Sequence, residues 1–320
     1  MKTELSRLAA GGIGVLPHLD CVPCMLRQAR EAIACAGMET EPGFVVLRQV
    51  LRLMSELDWT LPPPVLGQQV HRLIRQLTHN ADPYAAIKQR MNRRATELYP
   101  HWHRLFRGAF PPLEAAVRLA IVGNLLDVGA KTQLSSAAVH AAFEEALAAP
   151  LRGSVEQLAR AIHGARSILY LADNAGEIIF DRDLLAQLPL GNFAVVVRGS
   201  PVLNDATLAD AEQAGLTEFC EVIPNGSDAP GTLLASCSLT CRERFAAADL
   251  VIAKGQGNYE SLAGVDKEVF FLLKIKCNVL SHDLGWPVGT LVLHHQPARG
   301  SPRRNTRRDR AAETLTPFMP

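Results

Sequence analysis

Oxygen-bearing and basic side chains gather in four short segments: Asp173-Asn174-Ala175-Gly176-Glu177, the run from Arg198-Gly199 to Asn204-Asp205, Pro224-Asn225-Gly226-Ser227-Asp228, and Lys254-Gly255-Gln256-Gly257-Asn258. Carboxylate and amide oxygens are hard ligands that suit Mg²⁺ or Mn²⁺, ions that keep waters and substrate phosphate in their shells. Lys254 adds a point charge for a phosphate, and Gly255 and Gly257 would let backbone N–H groups approach an anion closely. Asp-Asn and Asn-Asp pairs also serve as turn and N-cap residues, so one such segment alone decides nothing. Four of them, each following an apolar run, point to a site for metal-assisted phosphoryl transfer.

The elements that must position these segments are legible around them. After Gly164, short β-branched runs at 167–173, 193–199, 219–226, 249–255 and 269–277 alternate with helix-length stretches. That alternation predicts a Rossmann-like α/β fold, a largely parallel sheet with helices on both faces, whose ligands bind beyond the carboxyl ends of the strands. A last apolar run at 290–293 would add an edge strand. From Asp20 to about Ala165 apolar residues recur every three or four positions, as in Val46, Val50, Leu53, Met54 and Leu57, which predicts an all-helical N-terminal region. Proline breaks it at Leu61–Pro64, Tyr99-Pro100, Phe110–Pro112 and Pro150–Gly153. The expected organisation is a helical region over 1–165, a Rossmann-like catalytic domain over 166–295, and a basic tail over 296–320 whose composition predicts disorder.

Bulk properties narrow the function. The 320 residues carry 33 Lys+Arg against 32 Asp+Glu, a net charge of +1, so no global field draws the chain to nucleic acid or an anionic membrane. No run approaches the roughly 20 apolar residues that span a bilayer, and the first residues make a poor secretory signal. The seven cysteines are an odd number without the dense spacing of a disulfide scaffold, which points to reduced thiols and a cytoplasmic location. Gly255-x-Gly257 is followed by Glu260 where a dinucleotide fingerprint needs its third Gly or Ala. No P-loop, Gly-x-Ser-x-Gly elbow or His-Glu-x-x-His occurs. Two rivals remain: an S-adenosylmethionine-dependent methyltransferase, which gives Lys254 and the Asp-Asn pair no task, and a non-catalytic metabolite or nucleic-acid binding protein, which rests on the arginines of the tail. Nothing in the sequence fixes the oligomeric state.

Taken in order, the motifs resemble the damage-control phosphatase family, a group of ARMT-like proteins. The resemblance lies in Asp173-Asn174-Ala175-Gly176-Glu177 with Phe180-Asp181, Arg198-Gly199-Ser200-Pro201-Val202 with Asn204-Asp205-Ala206-Thr207, and Lys254-Gly255-Gln256-Gly257-Asn258-Tyr259-Glu260. It continues through Leu272–Cys277, Asp283-Leu284-Gly285 and Pro287-Val288-Gly289, and includes Asp82-Pro83-Tyr84 with Lys88 and Gly123–Asp127 in the helical half. It covers nearly the whole chain except the tail. The resemblance implies phosphatases that use a divalent metal, here Mn, Mg, Co or Ni, on small phosphorylated metabolites such as sugar phosphates and damaged cofactors. It further implies Asp173, Asn174 and Asp205 as metal ligands and Lys254 as the phosphate-holding residue.

On this reading Gly255, Gln256, Gly257 and Asn258 bind the remaining phosphate oxygens, and Arg198, Asn124 and Asp127 face substrate. Asn124 and Asp127, three apart on an expected helix, share a face, and plain helix-face hydrogen bonding competes with a substrate role. Water is the simplest nucleophile; an aspartyl-phosphate route through Asp173 lacks the second Asp of an Asp-x-Asp loop, since Ala175 stands there. Cys21-Val22-Pro23-Cys24 and Lys276-Cys277 match the prokaryotic stand-alone branch, although Asn278 replaces an expected proline. Cys21 and Cys24 open a helix whose N–H groups could lower a thiol pKa. With Cys277 they offer three ligands where zinc takes four, which leaves an accessory metal site, a redox site and buried packing all open. Cys237 and Cys241, and the histidines of His101-Trp102-His103 and His294-His295, are read as packing residues. Asp82-Pro83-Tyr84 either caps a helix or holds substrate.

Overall fold

The computed structural model describes residues 14–124 and 136–299. Asp127 and nearly all of the expected tail lie outside the described residues. The first half forms helices α1 (Cys21–Cys35), α2 (Thr40–Glu56), α3 (Pro63–Thr78), α4 (Ala85–Ala109), α5 (Pro112–Val122) and α6 (Ser136–Ala148). Pro63 and Pro112 open α3 and α5, where the missing N–H has no intrahelical partner to lose. Tyr99-Pro100 departs from expectation, because α4 runs straight through Pro100. An interior proline costs about 3 kcal/mol. Beyond it Trp102 and Phe106 are both 0% exposed, and burying each aromatic is worth roughly 1.5–3 kcal/mol, enough to carry the helix past the lost bond.

The second half supplies β1 (Leu151–Arg152), α7 (Val155–Gly164), β2 (Ile168–Leu171), α8 (Glu177–Leu185), β3 (Phe193–Val197), α9 (Leu208–Gln213) and β4 (Glu221–Pro224). It ends with α10 (Leu239–Ala247), β5 (Leu250–Lys254), α11 (Gly255–Leu262), β6 (Val269–Lys274), α12 (Asn278–Leu284) and β7 (Leu291–Gln296). The seven strands lie in the order β1-β7-β6-β5-β2-β3-β4, parallel except where β7 meets β6. The run near 290 is therefore not an edge. β1 covers it, in the Pro150–Gly153 stretch that reads as a plain helix break. Gly153 makes this pairing possible, with φ +114° and its α-carbon so close to the Leu293 carbonyl that any Cβ would overlap it.

Side chains alternate across the sheet with the period of two that a pleated strand imposes. Ile168, Tyr170, Val195, Ile252 and Phe270 face a core that also holds Trp102, Phe106 and α5. Leu169, Leu171, Val196, Val251 and Phe271 face a second core with Phe245 and Leu280. The first core thus crosses the expected 165/166 boundary, and helices of the N-terminal half cover one face of the sheet. A third core joins α1, α2, α3 and the start of α4 through Met25, Val50, Leu66, Ile74 and Met91.

Candidate active site

Strand order reverses direction beside β2, which pairs with β3 on one side and β5 on the other. Such a switch point opens a crevice at the carboxyl ends of its strands. Asp173 follows β2 there, and Gly255 follows β5. Gly255 holds φ +76°, and a Cβ on it would overlap the Asp173 carboxylate, so the two strand ends meet edge to edge only because this residue lacks a side chain.

The loops after β2 and β3 are zipped together. Asn174 and Asp205 form an isolated antiparallel bridge, the Ala175 N–H donates to the Asn204 carbonyl at 2.9 Å, and the Ala206 N–H to the Asp173 carbonyl at 2.7 Å. Leu203 takes φ +47°, a conformation unfavourable for a branched side chain, in the turn that delivers Asn204 and Asp205. The helical half fixes the other end: Asn92 on α4 accepts from the Gly176 N–H at 2.6 Å and donates to Asp210 at 2.9 Å.

Within this frame Asp173, Asn174 and Asp205 come together, and Asn124 joins them from the turn two residues past the end of α5, where the sequence predicts helix. Its amide donates to Asp173 Oδ2 at 3.0 Å and to Glu177. The Asn174 amide donates to Asp173 Oδ2 at 2.8 Å and to Glu177 Oε2 at 3.0 Å. Asn174 Oδ1 accepts from Asn204 at 3.0 Å. Glu177, at the start of α8 and 1% exposed, is thus a member of the cluster that a reading of the loop as ligand positions alone misses. Its signal is its place at the first position of a helix in the Asp-Asn-Ala-Gly-Glu motif.

The structure turns Lys254, expected to hold phosphate, towards protein groups. Its ammonium is fully buried and spends its donors on Asp181 at 2.6 Å, Glu177 Oε1 at 2.7 Å and the Ala120 carbonyl at 2.8 Å. Burial works against the charge, but Asp181 and Glu177 outweigh it and hold the lysine pKa above its ordinary value. Asp181 is pushed up to about 6, by burial first, with Lys254 opposing. Lys254 therefore acts on the site through Glu177, whose other oxygen meets Asn124 and Asn174.

The remaining expected substrate contacts are redistributed in the same way. Arg198, 1% exposed, binds Asp205 at 2.6 Å and reaches Thr232 and Asn258 at 3.5 and 3.3 Å. Asn258 bonds Thr232 and the carbonyls of Lys254 and Ala172, a buried staple between β5, β2 and the 232 turn. At Gly257 the Pro230 carbonyl lies where a Cβ would sit, which gives this glycine a packing reason of its own. Gln256 turns to Glu260 at 2.6 Å and Cys277 at 3.7 Å. A cation with access to solvent comes instead from Lys276, which is exposed and lies within electrostatic reach of Asp173. The sequence carries it in Lys276-Cys277, where the cysteine draws attention from it.

The donor set fits a divalent cation. Asp173 is held well above the usual carboxylate range by burial, then by the charges of Glu177 and Asp205, against the weaker pull of Arg198 and Lys276. This is the mark of a buried anionic cluster short of positive charge. Asn124 Oδ1 is buried without a hydrogen-bond partner. Among the described residues no three His, Cys, Asp or Glu side chains form a metal-type group, so an ion here would draw on amide oxygens and waters beside the carboxylates, as Mg²⁺ and Mn²⁺ do.

Other expectations resolve more simply. Cys21 does start α1, yet its thiol pKa is raised: burial leads, the His18 N–H opposes, and Glu260, Cys277 and Cys24 add to the rise. Cys237 and Cys241 are buried in the core under the sheet. His103 pairs with Asp183 and His295 with Glu268, both at 2.7 Å. Asp82 receives the Tyr84 N–H at 3.1 Å and binds Lys88 at 2.8 Å, so that segment braces the start of α4.

Comparison with known proteins agrees with this geometry. Residues 18–292 match the damage-control phosphatase ARMT1-like domain, and the chain belongs to that family. It is similar to the uncharacterized protein MJ0202 of Methanocaldococcus jannaschii, 32% identical over 288 residues, 86% of this chain and 93% of that one. The damage-control phosphatase PH1575 of Pyrococcus horikoshii is 31% identical over 281 residues, 85% of this chain and 96% of its own. A damage-control phosphatase of Archaeoglobus fulgidus is 33% identical over 238 residues, 71% of this chain and 80% of its own. The crystal structure of the Pyrococcus horikoshii DUF89 family protein PH1575 matches with a TM-score of 0.78 at 27% identity, covering 87% of this chain and 98% of that one. The protein is accordingly a phosphatase with a mixed α/β fold, and the methyltransferase and binding-protein readings are not favoured.

Proposed function

We propose that the protein is a metal-dependent phosphomonoesterase for small phosphorylated metabolites, sugar phosphates or damaged phosphometabolites, working in the cytoplasm. Asp173, Asn174, Asp205 and Asn124 would hold the cation, with Mn, Mg, Co and Ni as candidates. When bound, the ion supplies charge neutralisation for the phosphoryl group and acidifies water. Asn124 Oδ1, buried without a hydrogen-bond partner, and Asn174 Oδ1, which now accepts from Asn204, would be the amide oxygens offered to the ion. Lys276 and the N–H groups opening α11 would receive the phosphate oxygens. Arg198, Asn258 and the Lys254–Glu177 pair keep the carboxylates oriented and the crevice dry. The nucleophile is water, because Asp173 hydrogen-bonds both asparagine amides and lacks a second Asp beside it to protonate a leaving group.

The observation that carries this reading is the surplus of buried negative charge around Asp173, beside an exposed lysine at a parallel-sheet switch point. All seven cysteines lie among the described residues, and none of them is in a disulfide. No helix among the described residues is long and apolar enough to cross a membrane. The test is hydrolysis of a panel of phosphomonoesters by the purified protein, chelated and then reloaded with each ion. Phosphate release that depends on ion and on Asp173 is expected; equal release by chelated enzyme would overturn the metal requirement.

A further inference from the structure

The phosphatase chemistry leaves the Cys21-Val22-Pro23-Cys24 segment unused. Cys21 and Cys24 occupy the first turn of α1. Helical rise and radius place Cα atoms three residues apart at roughly 5 Å, inside the window of about 4.4–6.8 Å that a disulfide spans. Pro23 fixes φ in that turn and has no N–H to lose there.

The two thiols differ in environment. Cys24 is exposed and Cys21 half-buried, with the His18 N–H on its sulfur at 3.4 Å. Cys277, at the start of α12, is the third thiol in this corner and lies within electrostatic reach of Cys21. By contrast Cys237 and Cys241 are 6% and 0% exposed, and the Cys220 thiol donates to the Leu216 carbonyl at 3.3 Å. An ion is the poorer reading of the corner, since its three thiols fall short of the four ligands that a structural zinc takes.

We infer that Cys21 and Cys24 form a redox-modification site, a dithiol that closes reversibly to a disulfide within the first turn of α1 when it meets a peroxide. The Cys24 thiol, reachable from solvent, attacks the peroxide O–O bond. Its sulfur becomes a sulfenic acid and one oxygen leaves as water. The Cys21 sulfur then displaces the hydroxyl from Cys24, forming the S–S bond and releasing a second water. The two thiols give up two electrons, which reduce one peroxide. A small dithiol reverses the reaction by exchange, being itself oxidised.

The inference is independent of the phosphatase reading, and its test reads mass, not activity. Native protein is treated with hydrogen peroxide, alkylated and digested with trypsin. The peptide ending at Arg27, which carries both cysteines, is expected to be lighter by two hydrogens and unalkylated, and to become doubly alkylated after dithiothreitol. Cys24→Ser should abolish that species, and Cys277→Ser should leave it intact. Should Cys21→Ser fold poorly, Cys24→Ser at the exposed position serves alone. Full alkylation of both thiols after peroxide, a crosslink of either to Cys277, or sulfinic and sulfonic acids that dithiothreitol does not reverse would each overturn the assignment.

Discussion

Glu177 divides the centre of the molecule into two acidic regions that are bonded differently. On its Oε1 side, Lys254 sits among Glu177, Asp181 and a carbonyl, buried and fully bonded. On its Oε2 side, Asp173 takes the amides of Asn124 and Asn174, Asp205 takes Arg198, and Asp173 is held well above its ordinary pKa. Both regions are dry and acidic. Each region sets one buried cation against two carboxylates, so neither residue type nor charge count separates them. What differs is contact: Lys254 bonds both of its carboxylates, at 2.7 and 2.6 Å, whereas Arg198 bonds Asp205 at 2.6 Å and stays 3.9 Å from Asp173. A carboxylate bonded to its counter-ion is scaffold, while one held off from it is a place for a cation to bind.

The comparison breaks most sharply at Lys254. Lys254→Met leaves Glu177 and Asp181 buried without a cation, and a loss of about 3–5 kcal/mol in urea unfolding is expected. A variant as stable as the parent and impaired only in phosphate binding would restore Lys254 to the substrate.

Asp173→Asn tests the other region and should do the reverse. Removing a buried charge whose counter-ion, Arg198, stays 3.9 Å away leaves chelated protein as stable as the parent or more so. Turnover of a phosphomonoester with added ion should fall by about 10²-fold or more. Loss of folding together with activity would make Asp173 part of the scaffold as well.

Glu260 sharpens the contrast through pH. Burial pushes it up to about 7, against the opposing bond from Gln256, so the folded protein holds a proton that the unfolded chain releases. Stability should therefore decline as pH rises from about 4.5 to about 7, by on the order of 3 kcal/mol, and level off above. Unfolding of Glu260→Gln across this range should lack that component; parallel curves for the two proteins would show that Glu260 is not raised. The smallest effect belongs to Lys276→Ala. It is expected to lower kcat/KM about tenfold, a difference of roughly 1.4 kcal/mol, while stability moves by less than about 0.5 kcal/mol, as for an exposed residue.

Much of this was legible in the sequence, for physical reasons. Alternation of short apolar runs with helix-length stretches gave the sheet, because strands buried on both faces must be apolar throughout. Segments at strand ends gave Asp173, Asn174 and Asp205, because topology alone brings such ends together. What the sequence hides is direction. Lys254 and Asn258 read like any polar loop residues until their side chains are seen folded back under the loops, and Arg198 is absorbed by Asp205 seven positions later. Two-residue β1 carries too few residues to show a period, and the continuation of α4 past Pro100 depends on where Trp102 and Phe106 are buried.

The antiparallel strand β7 has a practical consequence. Its end, Gln296, lies opposite Val269, the first residue of β6, and Arg299 is held there by Asp266 and Gly264. The main chain therefore departs from the rim of the sheet farthest from the crevice. A dye attached at Arg299 itself would sit on the back of the molecule, on the rim away from the mouth of the crevice.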